Sequence, residues 1–166
     1  MPADIVFARR SVRRYSADPV SAEALRTLLG AGMSAPSSRD RQPWEFVLVT
    51  RREQLDRLAE AHPHGKMLFE AAAAIAVCGR PDISPDYWVQ DCSAATENIL
   101  VAATGLGLGS VWLGCHPRDE RVTAVREILG IPASVGVLSL VAVGVPAERK
   151  EPRDRYDDAR VHRESW

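Results

Sequence analysis

The chain has 166 residues, of which 46% are hydrophobic, so it can bury the core of a single domain over residues 1–166. Its 21 basic and 22 acidic residues give a formal net charge of −1, which excludes a global attraction for nucleic acid or anionic membranes. No apolar run approaches the ~20 residues of a membrane-spanning helix, and the N-terminus lacks the apolar core of a signal peptide, so we expect a cytoplasmic protein without a membrane partner.

Helical and strand patterns alternate along the chain, without internal repeats or low-complexity linkers. The predicted elements, in chain order, are a helix over residues 4–11, a helix after Ser21, a loop over 35–43, a strand over 44–50, a strand over 74–79, a helix over 87–105, a strand over 110–114, a helix over 117–129 and a strand over 135–145. The last strand is a continuous apolar run, which is typical of a strand buried on both faces. Together these elements predict an α+β fold.

Three local patterns refine this prediction. Four apolar side chains of the second helix share one face, which predicts that this face packs against the core. They are Leu25, Leu28, Leu29 and Met33. Thr50 and Glu53 form a T-x-x-E pattern, which predicts a capping box for a helix after the first strand. The GLGLG stretch at residues 105–109 follows a helix and precedes a strand, the reverse of a phosphate-binding turn, so it indicates a helix C-cap.

The cysteines and histidines are not spaced as metal ligands or as a disulfide framework. The cysteines are Cys78, Cys92 and Cys115, and the histidines are His62, His64, His116 and His162. We predict that the cysteines are small buried hydrophobic residues. We predict that the histidines lie on the surface or in loops, with no catalytic role and no metal site.

A cluster of basic side chains lies near the N-terminus in RRSVRRY, residues 9–15. The chain has no nucleophile elbow, zinc-protease motif or Walker loop that would offer a protein-based alternative. On a helix Arg9 and Arg13 lie four residues apart, so both guanidinium groups can converge on one phosphate, with the Ser11 hydroxyl as a further donor. A solvated helix face has the same composition, so both interpretations stay open on this pattern alone.

Two further segments are unusual. APSSRDRQPWEFVLV, residues 35–49, is a turn-rich loop that leads into a strand. Its serines and backbone N–H groups can donate to the edge of a heterocycle, although a plain loop between a helix and a strand has a similar sequence. The polar C-terminal segment ends in apolar residues at Val161 and Trp166, which indicates docking, for example onto a second subunit.

RRSVRRY followed by APSSRDRQPWEFVLV resembles the FMN-dependent nitroreductase family, whose members have an RxSxR element and then a PSSxNxQPW loop and strand. The similarity continues through HGKMLFEAAAAIAV, the long helix over residues 87–105, SVWLG and PRDRY, so it covers nearly the whole chain. One departure is Asp40, where the family usually has Asn. The chain is also short for the family, so its substrate pocket is expected to be open or completed by a partner.

The resemblance implies a mixed, mainly antiparallel sheet flanked by helices, in an intertwined homodimer with exchanged C-terminal segments and FMN at the interface. The residues implied to bind the FMN phosphate are Arg9, Arg10, Ser11 and Arg13, together with Arg153 and Arg155. The flavin ring is implied to be contacted from the partner subunit by Pro36, Ser37 and Ser38. Leu113 and Gly114 are implied to lie beside the reactive edge of the ring, and Lys66 beside its pyrimidine side. Gln42 and Trp44 are expected to brace the loop. No side chain is expected to act as nucleophile or general base.

The activity implied by the resemblance is ping-pong electron transfer from NADH or NADPH, through flavin N5, to a small oxidant such as a nitroaromatic compound, a quinone or a flavin. Two alternatives stay open. One is a different flavin reaction on the same fold, such as dehalogenation or azoline oxidation. The other is a non-catalytic role as a flavin carrier or sensor.

Overall fold

The computed structural model describes residues 4–166. Its helices are α1 (Asp4–Ala8), α2 (Ala22–Met33), α3 (Arg52–Ala61), α4 (Trp88–Gly105) and α5 (Asp119–Leu129). Its strands are β1 (Trp44–Val49), β2 (Ala73–Gly79), β3 (Gly109–Gly114) and β4 (Gly136–Gly144). Short 3-10 helices lie at Ser38–Asp40, Lys66–Phe69 and Asp158–Arg160. The four predicted strands and the predicted helices over 87–105 and 117–129 are confirmed, each bound to within two residues.

The strands form one sheet in the order β1-β2-β4-β3, and every neighbouring pair is antiparallel. A parallel bridge joins Ser11 to Ser110 of β3, so the segment after α1 lies beside the sheet edge. The helices cover both faces of the sheet. The predicted α+β fold with a mainly antiparallel sheet flanked by helices is therefore confirmed.

The core is divided into two layers by the sheet. On one side, residues of α3 and α5 pack with Leu140 and Ala142 of β4. On the other side, residues of α2 and α4 pack with Leu138 and Val141 of the same strand. Successive residues of a strand point to opposite faces, so β4, apolar apart from Ser139, serves both layers. This confirms the interpretation of its continuous apolar run.

Helix α1 is shorter than predicted. Its last helical hydrogen bond runs from the Arg9 N–H to the Ile5 carbonyl at 3.0 Å, and the helix ends at Ala8 rather than Ser11. The Val12 N–H then donates to the Ser110 carbonyl at 3.0 Å. Pairing with the edge strand thus replaces the helical bonds that the predicted helix would have required.

Two further predictions about helices are wrong in detail. Met33 is 55% exposed, because the buried face of α2 continues through Gly32, which lies against Ile99. The predicted capping box is also absent: α3 begins after Arg51, which makes no side-chain cap hydrogen bond. Thr50 lies one residue too early to be the N-cap, since α3 starts at Arg52 and its N-cap is Arg51.

The GLGLG stretch ends helix α4, as predicted. The helix ends at Gly105, and Gly107 has a φ of 72°. The Gly107 N–H donates to the Thr104 carbonyl at 3.1 Å and the Leu108 N–H donates to the Ala103 carbonyl at 2.8 Å. These two bonds form a Schellman motif, in which a left-handed glycine satisfies the last helical carbonyls.

The three cysteines are buried and free, as predicted. Burial raises the pKa of the Cys78, Cys92 and Cys115 thiols to about 12 in each case. Thiolate is the reactive form, so these side chains are chemically inert packing groups near neutral pH.

The indole of Trp88 packs directly on two strands where they carry glycine, and this contact gives a stability prediction. We expect Gly136→Ala to destabilise the protein by about 1–3 kcal/mol, because such core overpacking forces rigid neighbours to shift. The new Cβ would lie 2.6 Å from the Trp88 ring. Gly30→Ala is the matched control, since no atom lies within 4 Å and the site is interior to α2. That variant should gain about 0.5–1 kcal/mol, and equal urea midpoints for the two variants would contradict the prediction.

Candidate active site

Arginines from both ends of the chain meet in one cleft of about 500 Å³. Arg9 and Arg10 follow α1, and Arg153 and Arg155 belong to the C-terminal segment. The Arg153 N–H donates to the Phe7 carbonyl at 3.4 Å, which joins the two segments. The other lining residues are Val6, Phe7, Asp154 and Tyr156. Four arginines and one acidic residue give the lining of this cleft, hereafter the arginine cleft, an excess of positive charge, which favours an anion over a cation.

Neighbouring groups hold the N-terminal arginines of the cleft in place. Arg9 Nε lies 3.2 Å from Glu97 Oε1 of α4. The Arg10 guanidinium donates to the Glu151 carbonyl, at the start of the C-terminal segment. One arginine is thus fixed to the body of the protein and the other to the segment that carries Arg153.

The expectation that Arg9 and Arg13 converge from one helical face is wrong, because α1 ends at Ala8. The Arg13 N–H donates to Glu148 Oε1 at 2.6 Å, and this bond is the main cause that lowers the pKa of the Glu148 carboxyl. The side chain of Arg13 is exposed. Ser11 is held by its carbonyl, which accepts a hydrogen bond from Lys150 Nζ at 2.6 Å.

The loop over residues 35–43 is a strained turn around a 3-10 helix. Three non-glycine residues have positive φ: Arg39 and Asp40 at 54°, and Gln42 at 46°. The Ser37 hydroxyl oxygen accepts a hydrogen bond from the Gln42 N–H at 2.9 Å, and Asp40 Oδ1 accepts one from Gln42 Nε2 at 2.8 Å. The Asp40 carboxylate therefore holds the Gln42 side chain within the loop. This agrees with the expectation that Gln42 braces the loop.

Asp91 anchors this loop to the first turn of α4, and the sequence analysis missed it. Its side chain is buried, with 5% exposed. Asp91 Oδ1 accepts a hydrogen bond from the Ser38 N–H at 2.9 Å, and Oδ2 accepts one from the Ser84 hydroxyl at 3.0 Å. A carboxylate next to the apolar stripe of a largely buried helix was the available signal, because such a group is rarely buried without specific donors.

We expect Asp91→Ala to lower the free energy of unfolding by about 1–3 kcal/mol, because the part-buried Ser38 N–H and the buried Ser84 hydroxyl lose their acceptor. Asp91→Asn retains an oxygen for the Ser38 N–H and should lose less. The exposed Asp86, in the segment before α4, provides the control Asp86→Ala. Urea denaturation and hydrogen exchange across residues 36–42 measure the effect. An Asp91→Ala protein as stable and as protected as the Asp86→Ala protein would refute the anchor.

The end of strand β3 is held by two donors. The Gly114 carbonyl lies 3.1 Å from His62 Nε2 and 3.1 Å from Arg121 NH1. Leu113 is buried, whereas a Cβ built on Gly114 would meet no atom within 4 Å, so this face of the strand end is open. The histidines were predicted to lie on the surface or in loops. His62 does lie in the loop after α3, but it is only 3% exposed.

Within one chain the structure brings only part of the predicted site together. Four of the predicted arginines line the arginine cleft. The predicted residues that do not line it are Ser11, Arg13, Pro36, Ser37, Ser38, Lys66, Leu113 and Gly114. Lys66 is exposed at the start of the 3-10 helix Lys66–Phe69. These residues belong to other segments of the chain, and Leu113 among them is buried.

The described part of the chain, residues 4–166, contains no group of three or more His, Cys, Asp or Glu residues that could hold a metal ion. In the same residues, none of the helices combines the length and the apolar character needed to cross a membrane.

Comparison with known proteins places this arrangement in a family. The model of the Nitroreductase family matches residues 6–62 and 61–145. The chain belongs to the nitroreductase family. A nitroreductase-family protein of Archaeoglobus fulgidus, provisionally named NADH dehydrogenase/NAD(P)H nitroreductase, is 50% identical over 98% of this chain and 97% of its own length.

Solved structures of this family agree with the fold. A protein of Parabacteroides distasonis with the same provisional name has a TM-score of 0.95 and 42% identity, covering 98% of this chain and 97% of its own. An FMN-dependent nitroreductase of Clostridium difficile has a TM-score of 0.91 and 30% identity, covering 98% of both chains. The nitroreductase fold therefore accounts for nearly the full length of the chain.

Proposed function

We propose that the protein is a cytoplasmic, FMN-dependent oxidoreductase that transfers electrons from NADH or NADPH to a small oxidant by a ping-pong mechanism. The observation that carries the proposal is the arginine cleft, which is lined by four arginines from both ends of the chain and by a single acidic residue, Asp154. Family membership and the FMN dependence of the Clostridium difficile relative support the cofactor. The buried, unpaired thiols are typical of a protein from a reducing compartment.

The arginine cleft fits the phosphate end of FMN. Guanidinium groups bind phosphate oxygens through paired, charge-assisted hydrogen bonds, and several such groups offset the charge of a dianion. Arg9 and Arg10 are the N-terminal half of the proposed phosphate site, and Arg153 and Arg155 are the C-terminal half. Arg13 and Ser11 complete it in the proposal, on the basis of their place in the family motif rather than of contact with the cleft.

Three segments are proposed to surround the flavin ring. Pro36, Ser37 and Ser38 would contact it from the partner subunit. In that loop the Ser38 N–H is used by Asp91, but the Ser37 hydroxyl oxygen only accepts, so its proton is free to donate to the ring. The open face at Gly114, beside Leu113, leaves space for the reactive edge of the ring.

Lys66 is the proposed cation beside the pyrimidine side of the ring. The ammonium is exposed and its segment begins directly after Gly65, so it can face a bound ligand. A fixed positive charge near N1 and O2 favours the anionic form that flavin adopts on reduction. When bound, FMN would supply the redox chemistry, namely acceptance of hydride from a nicotinamide and return of the electrons to an oxidant.

A homodimer is part of the proposal. Residues 151–166 are all exposed in the single chain, including Tyr156 at 70% and Trp166 at 100%. Val6 and Phe7 of α1, beside the arginine cleft, are also at least half exposed. Apolar groups of this size at a chain end suit burial against another subunit, so we propose that the C-terminal segments are exchanged between the two chains.

The test is spectroscopic. The purified protein should be yellow with bound FMN, and its visible flavin absorbance should bleach when NADH or NADPH is added without oxygen. Addition of nitroaromatic compounds, quinones and free flavins should then restore the colour at rates that rank the oxidants. A colourless protein that cannot be reconstituted with FMN would refute the proposal. A yellow protein that does not bleach would favour a non-catalytic role as a flavin carrier or sensor.

A further inference from the structure

His62 is a buried polar side chain that uses both of its ring nitrogens. It follows α3 directly and is 3% exposed. Its Nε2 lies 3.1 Å from the Gly114 carbonyl oxygen, across 52 positions of sequence. Its Nδ1 accepts a hydrogen bond from the His64 N–H at 3.2 Å. Both contacts are to backbone groups, so their donor and acceptor roles are fixed by chemistry.

These two contacts allow a single form of the ring. A carbonyl oxygen can only accept, so Nε2 carries the proton, and an amide N–H can only donate, so Nδ1 carries the lone pair. The ring is therefore neutral. Burial lowers the pKa of His62 below 6.5, and the nearby charges of Arg121 and His64 act in the same direction, against the hydrogen bond to Gly114.

The His62 imidazole joins two segments that are far apart in the sequence. On one side, the Gly65 N–H donates to the His62 carbonyl at 2.8 Å, which folds residues 62–66 into a tight turn that ends at Lys66. On the other side lies the end of β3 at Gly114, which also accepts a hydrogen bond from Arg121 of α5. Arg121 holds the strand end to α5. Among the hydrogen bonds of residues 4–166, the one from His62 joins that strand end to the turn before Lys66.

We propose that His62 is a positioning residue of the flavin site, which in its Nε2–H form holds the Lys66 turn at a fixed position relative to the Gly114 end of β3. This inference rests on the proposed function, in which Lys66 and Gly114 lie beside two edges of one flavin ring. The position of a flavin ring held between Lys66 and Gly114 would depend on the distance between these two residues. His62 would thereby control hydride transfer without touching the cofactor.

The experiment uses the FMN-loaded protein and three variants. His62→Leu fills the space without a donor, His62→Gln offers an amide N–H to the same carbonyl, and His64→Ala removes only an exposed ring while keeping the backbone N–H that His62 uses. The FMN dissociation constant, the flavin midpoint potential and the anaerobic rate constant for flavin reduction by NADH are measured for each.

We expect His62→Leu to bind FMN within about threefold of the wild type, since the arginine cleft is unchanged, but to be reduced about tenfold more slowly and at a shifted potential, as expected for loss of one buried hydrogen bond. His62→Gln should recover most of the rate, and His64→Ala should behave as the wild type. A His62→Leu protein with unchanged rate and potential, or a His62→Gln protein as slow as His62→Leu, would overturn the proposal.

The pH dependence supplies a second readout. Because the folded protein disfavours the protonated ring, the rate of the wild type relative to His62→Gln should be constant above pH 6.5 and fall only as the pH drops through the lowered pKa of His62. Nitrogen NMR of the wild type should show a neutral His62 ring with its proton on Nε2 at pH 7, and this test does not require the leucine variant to fold. A protonated ring or the opposite tautomer would overturn the proposal.

A wild type that cannot bind FMN would overturn the proposed function as well, whereas normal bleaching with an unaffected His62→Leu would overturn only this inference.

Discussion

If the proposed FMN-loaded homodimer forms as described, removal of residues 151–166 is expected to give a colourless monomer. The segment carries Arg153 and Arg155, half of the arginines of the arginine cleft. It also carries exposed apolar groups at Tyr156 and Trp166, which the proposed exchange would bury. Loss of both the phosphate contacts and the interface should weaken FMN binding by more than about 100-fold, since charge-assisted contacts contribute roughly 1.5–3 kcal/mol each.

Size-exclusion chromatography with light scattering and a fluorescence titration with FMN measure the two effects of the truncation. Trp166→Ser is the companion variant, because it removes the most exposed apolar group and leaves every arginine. It should shift the equilibrium toward the monomer, and it should affect the phosphate contacts less. A truncated protein that stays dimeric and keeps FMN would show that the C-terminal segment serves neither purpose.

The double variant Arg153→Ala, Arg155→Ala is expected to weaken FMN binding about 100-fold while the dimer and the fold stay intact. Two charge-assisted contacts at about 1.5 kcal/mol each correspond to a change of this size. Neither side chain contributes to the core, and both belong to a segment that is exposed in the single chain.

A matched control comes from the same segment. Arg160 pairs with Asp157 at 3.2 Å and Arg163 lies 3.7 Å from Asp158, and neither arginine lines the arginine cleft. Arg160→Ala, Arg163→Ala removes the same charge and should leave FMN affinity within about twofold, because exposed ion pairs contribute little. Equal losses in the two double variants would mean that net charge, rather than the cleft, attracts the ligand.

The affinity should also depend on salt in a way that separates these variants. Phosphate binding by several arginines weakens as ionic strength rises, because the Debye length shortens from ≈10 Å at 0.1 M to ≈3 Å at 1 M. The wild type should lose affinity more steeply with salt than the Arg153→Ala, Arg155→Ala protein. The same slope in both would indicate that these two side chains do not meet the phosphate.

The positions of the strands and long helices could be predicted from the sequence because they depend on local patterns. A continuous apolar run gives a strand with two buried faces, and β4 at Gly136–Gly144 is such a strand. The glycines after α4 allow the left-handed turn at Gly107 that ends the helix. Each of these signals lies within a few residues of the structure that it specifies.

Errors arose where tertiary contacts compete with a local pattern. Arg9 and Arg13 fit a helical spacing, but the edge of β3 offers hydrogen bonds to Val12, so α1 ends early. The T-x-x-E pattern at Thr50 fits a capping box, but α3 begins one residue later, at Arg52 after the N-cap Arg51. For α1 the competing partner, the edge of β3, lies in another part of the chain.

The sequence by itself thus determined the family, and it predicted the residue types of the proposed site, arginines for an anion and a serine loop for a ring. Only the tertiary structure decided that Arg9 and Arg10 meet Arg153 and Arg155, and that Asp91 holds Ser38 across 53 positions and His62 holds Gly114 across 52. The reason is physical: an apolar pattern records which side of an element avoids water, whereas a buried polar group takes its partner from whichever element the fold brings within about 3 Å.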